Sequence, residues 1–217
     1  MSLRAVGLSF AYPHGELLLK DLDLAVPWGT SAAIMAPSGI GKSTLLAVLG
    51  GLRRPSSGFV EISPDGGPAH ASPETVRPAV AWVFQSMQLL LGRTVLDNVA
   101  LVGMPRGFDR ARAEGLAYVE LRRFGVDALA HRLVRSLSGG QRQRVALARA
   151  AMADPLVVLA DEPTANLDRA SALGVAEVLI GQFSRASVVV ATHDPAVARL
   201  ASVAYLLRDG RVETAEL

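Results

Sequence analysis

The chain has 217 residues, of which 50% are hydrophobic and 19% charged, and its formal net charge is +2. This length suits one domain with a sizeable apolar core, and the absence of cysteine excludes disulfides and thiolate metal sites. No run of basic residues forms a stripe suited to nucleic acid, so no nucleic-acid partner is expected. The sequence also lacks a signal-peptide pattern and the roughly 18 continuous apolar residues of a membrane helix, so any membrane role would come through a partner.

Apolar periodicity along the chain alternates between short strands and helices. Strands are predicted, in chain order, at 3–10, 17–26, 31–35, 59–62, 80–84, 156–160, 186–191, 203–207 and 211–212. A helical pattern is predicted at 42–50, over 95–124, and at 140–153, 171–183 and 195–201.

Apolar strands that alternate with helices predict an α/β fold with a mostly parallel sheet covered on both faces. The pattern of the first two strands predicts an added antiparallel β region. Residues 85–135 lack such strands, so a helical subdomain is expected there, inserted between core segments at 1–84 and 136–217. Residues 1–217 together would form a single domain.

Residues 36–43 predict a phosphate-binding loop between a buried strand and a helix. They fit the pattern of glycine, four residues, glycine, lysine and serine or threonine, except that Ala36 replaces the first glycine. Lys42 is one of only two lysines among 22 basic residues, and its compact ammonium group suits the β- and γ-phosphates. Ser43 would place a hydroxyl on Mg²⁺. Taken alone, the loop could also be a glycine turn before a core helix.

Two adjacent carboxylates, Asp161 and Glu162, follow the apolar strand 156–160. Such a pair at the end of a buried strand is costly unless positive charge lies nearby, and Mg²⁺–ATP would supply it. Asp161 would then support Mg²⁺ through water, and Glu162 would act as the general base on the attacking water. The alternative, taken alone, is an acidic cap on a following helix.

Residues 137–141 read Leu-Ser-Gly-Gly-Gln and precede a predicted helix. Ser138 can cap this helix, and the two glycines expose backbone N–H groups, which makes a second anion-binding helix terminus in the chain. A chance match to five set residues in a chain of this size is on the order of one in ten thousand.

These motifs, in this order, resemble those of the ATP-binding cassette (ABC) family over essentially the whole chain. Residues 36–43 resemble the Walker A motif, and residues 137–141 are identical to the family signature. Residues 156–162 resemble the Walker B motif with its catalytic glutamate.

Weaker matches complete the resemblance. Each is uninformative alone, and it is their order and spacing along the chain that support the assignment. Gln85 resembles the Q-loop glutamine, Asp168 the D-loop aspartate and His193 the switch histidine. Tyr12 is similar to the aromatic residue that stacks on adenine, with Phe10 as the second candidate.

The resemblance implies a P-loop NTPase core with a mostly parallel sheet, an antiparallel β region and an inserted helical subdomain. It implies ATP and Mg²⁺ as cofactors, with Glu162, His193 and Gln85 in catalytic roles. The implied Mg²⁺ contacts are Ser43, Gln85 and Asp161. The implied ATP-binding residues are Tyr12, Ala36, Pro37, Ser38, Gly39, Ile40, Gly41, Lys42, Ser43 and Thr44.

One chain carries one Walker A motif and one signature, and in the family the signature contacts the nucleotide of the opposite subunit. The resemblance therefore implies a head-to-tail dimer, expected to be a homodimer. The signature residues acting on the partner's ATP would be Leu137, Ser138, Gly139, Gly140 and Gln141. It also implies separate transmembrane permease subunits, which would hold the ATPase on the cytoplasmic face of the cell membrane.

The segments 84–101 and 160–168 look most like the lipoprotein-releasing, macrolide-exporting and haem-exporting group. An efflux or lipid-, lipoprotein- or haem-type exporter is therefore expected, although ATPases of small-molecule importers look similar. A soluble repair or translation ATPase fits less well, because only 94 residues separate Lys42 from Leu137 and the chain has one cassette. A P-loop kinase is disfavoured by residues 137–141.

Overall fold

The computed structural model describes residues 2–37, 39–63 and 71–215, and within these ranges nine strands form two sheets. The strands are β1 (Ser2–Ala11), β2 (Leu17–Pro27), β3 (Ser31–Met35), β4 (Ser57–Ser63), β5 (Val80–Val83), β6 (Val157–Asp161), β7 (Ser187–Thr192), β8 (Val203–Arg208) and β9 (Arg211–Ala215). The α-helices are α1 (Lys42–Leu49), α2 (Pro73–Val76), α3 (Val95–Ala100), α4 (Arg110–Arg123), α5 (Gly139–Met152), α6 (Arg169–Gln182) and α7 (Pro195–Ala198). Short 3₁₀ helices lie at Arg77–Ala79, Leu101–Arg106, Asp127–Leu129 and Val134–Ser136.

The larger sheet has the strand order β5-β6-β7-β3-β8-β9. The pairs β6–β7, β7–β3 and β3–β8 are parallel, and β8–β9 is an antiparallel hairpin. All six residues of β7 are buried, and so are four of the five residues in each of β3 and β6. Strands buried on both faces need continuous apolar sequence, which is why these three were recognisable. The predicted α/β fold with a mostly parallel sheet is confirmed.

The smaller sheet has the order β2-β1-β4, and both of its pairs are antiparallel. Along β2, buried residues alternate with exposed ones, so one face of the strand supplies leucines to the core while the other faces solvent. These leucines join residues of α1, β3 and β6 in one apolar cluster. The predicted antiparallel β region is therefore also confirmed.

The chain divides into two compact units. The first consists of 1–82, 155–162 and 183–217, and the second of 83–154 and 163–182. Both sheets belong to the first unit, except for the last residue of β5, whereas helices α3 to α6 form the second. The second unit contains all of the predicted helical subdomain together with α5 and α6, and the predicted division of the domain stays a prediction.

Helices α3, α4 and α5 pack against one another inside the second unit. The helical pattern over 95–124 is interrupted, because the chain passes through a 3₁₀ helix containing Pro105 and then through Gly107, whose φ is 81°. Asp109 then caps α4 by accepting a hydrogen bond from the backbone N–H of Arg112 at 2.8 Å. A proline and a left-handed glycine so close together end one helix and separate it from the next.

Candidate active site

The loop between β3 and α1 has the backbone conformation that its glycines allow. Gly39 and Gly41 have φ values of 84° and 109°, in the left-handed region that favours glycine. A Cβ atom at Gly41 would also lie 3.2 Å from the Leu18 side chain. Of the predicted loop residues, Ser38 lies outside the described residues. Helix α1 begins at Lys42, and the next side chain, Ser43, is exposed.

Ala36 takes the position of the first glycine in the loop. Its methyl group is buried in the apolar core of the first unit, where the residue is 4% exposed. Its carbonyl oxygen accepts a hydrogen bond from Nζ of Lys42 at 2.6 Å, and the carbonyl of Pro37 lies 3.3 Å from the same nitrogen. The backbone carbonyl of residue 36 thus holds the lysine, and a small side chain is tolerated there.

Lys42, Glu162 and His193 form one charged cluster. Nζ of Lys42 lies 3.2 Å from Oε1 of Glu162, and Nδ1 of His193 lies 3.0 Å from both carboxylate oxygens. An ionised Glu162 can only accept, so in that state the Nδ1–H of His193 donates. The side chains of Lys42 and Glu162 are 7% and 15% exposed, whereas that of His193 is 59% exposed.

Sheet topology explains why these three residues meet. They follow strands β3, β6 and β7, which are neighbours in the larger sheet and run parallel. The carboxyl ends of parallel strands lie at one edge, which is where α/β proteins place ligands. Asp161 is the last residue of β6 and is aligned with Ala191 of β7. Lys42, Glu162 and His193 are therefore brought together at one edge of the larger sheet, with Asp161 next to Glu162 in the chain.

Glu162 has an unusual backbone conformation. Its φ is 45°, and its N–H donates to the carbonyl of Ala191 at 2.9 Å. A left-handed residue other than glycine costs about 1–2 kcal/mol, and such strain concentrates at functional sites. The hydrogen bond to Ala191 and the side-chain contacts to Lys42 and His193 hold Glu162 in this conformation.

Tyr12 is an exposed ring that its neighbours hold in place. Its hydroxyl lies 3.0 Å from the hydroxyl of Thr44, and its ring packs in a T-shaped arrangement with that of Phe10, with 5.0 Å between centroids. The guanidinium carbon of Arg53 lies 5.5 Å from the ring centroid. Tyr12 is 43% exposed and Phe10 is 5% exposed, so Tyr12 is the ring that offers a surface for stacking.

In the second unit, the segment after β5 carries the predicted Gln85, which is exposed. Met87 and Gln88 follow, with left-handed φ values of 50° and 44°. Each of these two residues costs about 1–2 kcal/mol in this conformation. Arg149 of α5 donates from Nη1 to the carbonyl of Gln88 at 2.8 Å and from Nη2 to the carbonyl of Met87 at 3.1 Å. Burial lowers the pKa of Arg149, and a guanidinium in a protein keeps its charge.

No pattern in the sequence identifies Arg149. Its two acceptors lie 61 and 62 positions away along the chain, and they are backbone carbonyls whose residue type carries no signal. An arginine in a helix is ordinarily a solvated residue. Only the fold shows that this one has backbone acceptors.

The signature residues stand at the start of α5, also in the second unit. Ser138 is the N-cap, and its side chain and that of Gln141 form a capping box. Ser138 is exposed, whereas Leu137 before it is buried. A Cβ atom at Gly139 would lie 2.9 Å from a methyl group of Leu167, so a side chain at this position would displace that methyl group.

Asp168 precedes α6 and accepts a hydrogen bond from the backbone N–H of Ser171 at 3.0 Å. Hydrogen bonds from the side chain and the backbone of Ser171 lower the pKa of Asp168. The aspartate is fully exposed and therefore charged on the surface of the second unit at neutral pH.

The second unit also carries a largely apolar groove of about 330 Å³. The large apolar residues in its lining, Leu90, Leu101 and Met104, are 49%, 41% and 54% exposed. The remaining lining residues are Arg93, Asp97, Ala100, Arg110, Ala113 and Glu114. Among the helices of the described ranges, none is long and apolar enough to cross a membrane.

A family model described as ABC transporter matches residues 19–165. Among curated relatives, the lipoprotein-releasing system ATP-binding protein LolD of Bordetella pertussis is 41% identical, covering 98% of this chain and 95% of its own. The protein of the same name from Treponema pallidum is 37% identical, covering 97% and 96%.

Two solved structures extend the likeness to the fold. The structure of cbiO1 from Clostridium perfringens, part of the ABC transporter complex cbiONQ, has a TM-score of 0.86 and 28% identity, covering 97% of this chain and 86% of that one. The ATP-binding cassette MJ0796, a dimer in a post-hydrolysis state bound to ADP and Pi, has a TM-score of 0.80 and 32% identity, covering 99% and 98%.

The chain belongs to the ABC transporter family. It is an ABC-type ATPase, the ATP-binding and ATP-hydrolysing subunit of a transporter. The predicted likeness to the lipoprotein-releasing group is confirmed by relatives that match nearly the whole chain.

Proposed function

We propose that this ATPase powers an exporter of the lipoprotein-releasing type. It would act as a head-to-tail homodimer on the cytoplasmic face of the cell membrane, bound to separate permease subunits. The names and near full-length match of the LolD relatives support this choice over a small-molecule importer, which stays the alternative.

The observation that carries the ATPase part of the proposal is the cluster of Lys42, Glu162 and His193. A lysine at the start of α1 can bind the β- and γ-phosphates, and it lies 3.2 Å from the carboxylate that would act as general base. His193 orients that carboxylate through Nδ1 and would contact the γ-phosphate through its other nitrogen. These groups provide phosphate binding, a base and a positioning contact at one edge of the sheet.

The remaining ATP contacts are proposed near the same edge of the larger sheet. Tyr12 would stack on adenine, since its ring is exposed and is held by Phe10 and Thr44. The phosphates would lie against the backbone of the loop before α1 and the positive end of that helix. The proposed ATP-binding residues are Tyr12, Ala36, Pro37, Ser38, Gly39, Ile40, Gly41, Lys42, Ser43 and Thr44.

Mg²⁺ would neutralise charge on the phosphates and polarise the γ-phosphoryl group. Ser43 and Asp161 supply the hydroxyl and carboxylate oxygens that Mg²⁺ prefers, at the start of α1 and the end of β6. Gln85 would add an amide oxygen. Few protein ligands are needed, because this ion keeps most of its shell as water and substrate phosphate.

The signature would act on the ATP of the partner subunit. Ser138 is exposed at the N-terminus of a 14-residue helix, and Gly139 and Gly140 follow in its first turn, where backbone N–H groups lack helical acceptors. Leu137 and Gln141 would support this turn, since Leu137 is buried and Gln141 completes the capping box. The D-loop residue Asp168 would lie at the same dimer interface. The dimeric MJ0796 structure supports this arrangement.

The groove of the second unit is the surface that would receive the permease. Its exposed Leu90, Leu101 and Met104 suit the apolar face of a short helix, and charged residues of both signs border them. Gln85 begins the chain segment that leads to Leu90, so nucleotide state could pass to the permease along it.

The direct test replaces Glu162 by Gln, which keeps the shape and removes the base. The variant should bind ATP, hydrolyse it roughly 10²–10⁴ times more slowly, and accumulate as a dimer. Phosphate release measures turnover, and size exclusion with ATP measures the dimer. Glu213→Gln, an exposed change on β9, serves as the control. Near-normal turnover of Glu162→Gln would contradict the assigned role.

The exporter assignment has its own test. The tagged chain is purified from detergent-solubilised membranes of cells that also express the permease genes found next to the gene for this chain. Recovery of a four-span permease with a large extracytoplasmic domain supports the exporter, and recovery of an import-type permease favours the alternative.

A further inference from the structure

Two consecutive left-handed residues, Met87 and Gln88, lie directly after Gln85 and Ser86 in the second unit. Neither is glycine, so side-chain sterics disfavour both conformations. Such a turn persists only where surrounding groups over-determine it. The surrounding structure must therefore supply contacts that offset the strain.

Arg149 supplies contacts of this kind. Its two terminal nitrogens donate to the carbonyls of Gln88 and Met87 at 2.8 Å and 3.1 Å, which fixes two successive peptide groups at once. The planar guanidinium presents its donors in a rigid fork, so both carbonyls must face it in the left-handed arrangement. The side chain is half-buried, which strengthens these charge-assisted hydrogen bonds.

The segment is anchored a second time two residues further on. The buried side chain of Asn98 accepts a hydrogen bond from the N–H of Leu90 at 2.7 Å and donates to the carbonyl of Leu90 at 3.1 Å. Residues 87–90 are thus fixed at one end by α5 and at the other by α3. Gln85 is the exposed residue just before the fixed part.

We propose that Arg149 is a positioning residue that holds residues 87–88 in their strained turn and thereby sets the placement of Gln85. Because Arg149 belongs to α5, the same contact makes the signature helix and the Gln85 segment move together. The inference rests on the proposed function, since Gln85 matters for turnover only in an ATPase of this type.

The first arm compares Arg149→Met and Arg149→Lys with the wild-type full-length chain. Losing both hydrogen bonds should lower kcat on the order of tenfold while the KM for ATP changes less than about twofold. Lysine keeps the charge but lacks the two-pronged guanidinium, so the kcat of Arg149→Lys should lie between those of the wild type and Arg149→Met. Arg106→Met is the matched control. Arg106 donates to the carbonyl of Met152 at 2.7 Å, so this substitution also removes a hydrogen bond from an arginine to α5.

The second arm relieves the strain instead of restoring the arginine. Glycine adopts the left-handed region without penalty, so Met87→Gly with Gln88→Gly should recover much of the lost kcat in the Arg149→Met background. In the wild-type background the glycine pair should raise kcat by less than about twofold, because Arg149 already holds the turn. A merely structural role of Arg149 predicts no such specific rescue.

Hydrogen exchange of residues 85–90 provides the structural measurement. Exchange there should rise in Arg149→Met, should not rise in Arg106→Met, and should stay unchanged in β6 and β7 in both variants. An unchanged kcat in Arg149→Met, a loss equal to that of Arg106→Met, or the absence of rescue by glycine would each overturn the inference. If Arg149→Met does not fold, Arg149→Lys carries the same comparison. A wild-type chain that fails to bind or hydrolyse ATP would instead contradict the proposed function.

Discussion

The two units differ in how their functional residues are satisfied. In the first, the buried Lys42 and the partly exposed Glu162 lie 3.2 Å apart and offset each other's charge at the edge of the larger sheet. In the second, Ser138 and the large apolar residues of the groove are exposed. Charges that are paired within a chain describe a site that one molecule can build. Under the proposed function, the exposed signature and apolar residues are surfaces that partner molecules would complete. The first unit is therefore tested by measuring ligand binding, and the second by measuring partner binding.

The largest effect is expected from Lys42→Ala, which removes the cation of the charged cluster in the first unit. Loss of the charge-assisted contacts to phosphate should weaken ATP binding by roughly 3 kcal/mol, more than a hundredfold in Kd. Titration with a fluorescent ATP analogue measures this. Lys20→Ala is the control, since Lys20 is the other lysine of the chain and lies exposed on β2. Equal ATP affinity of the two variants would remove the basis for the loop assignment.

The second comparison moves to the groove. Met104→Asp puts a charge where the proposed permease helix would bury apolar surface, and it should weaken permease binding by about 2 kcal/mol, some thirtyfold. ATP turnover of the isolated chain should stay within about twofold, because the change lies outside the proposed ATP contacts. Affinity capture on permease-containing nanodiscs provides the measurement.

Val119→Asp is the matched control for the groove. Val119 is 60% exposed on α4 and does not line the groove. If both aspartate variants bind the permease as the wild type does, the groove is not the docking surface. The exposed apolar residues of the second unit would then no longer indicate partner binding.

The smallest effect concerns the capping box of α3. Hydrogen bonds from the side chain and backbone of Thr94, followed by the charges of Arg93 and Arg110, lower the pKa of Asp97 below its usual value of 3.8. The folded state thus favours the carboxylate, so this contribution is present above pH 3.8 and disappears as the pH falls through the lowered value.

Asp97→Asn should therefore reduce the free energy of unfolding by about 0.5–1 kcal/mol at pH 7, and the difference should vanish in strong acid. Urea unfolding at both pH values measures it. Asp209→Asn, in an exposed turn with φ of 51°, should change little at either pH. A difference that persists in acid would show that the aspartate acts through packing and not through its charge.

Strands β3, β6 and β7 of the larger sheet were predictable because burial on both faces requires continuous apolar residues. Helix α2 was not predicted, since its four residues are too few for a periodic pattern and its capping by Ser72 has no long apolar run beside it. The break in the helical pattern at Gly107 also went unseen, although Pro105 two residues earlier is a recognised signal.

Some features of the site were likewise predictable from the sequence, and others were not. The types and spacing of its residues were readable, because phosphate chemistry constrains them locally. The contact between Glu162 and His193 was not, since it depends on β6 and β7 being neighbours. The left-handed φ of Glu162 and the hydrogen bonds of Arg149 likewise have no local sequence signal, because both are imposed by distant parts of the fold.

Ala36 shows what the first position of a phosphate loop actually requires. Its carbonyl oxygen accepts a hydrogen bond from Lys42, and its methyl group is buried in the core, so the position needs a backbone oxygen that the lysine can reach and a small side chain. A motif search that demands glycine at this position would discard this chain and every relative with the same alanine. A pattern written for the backbone contact, accepting glycine or alanine there, would find them.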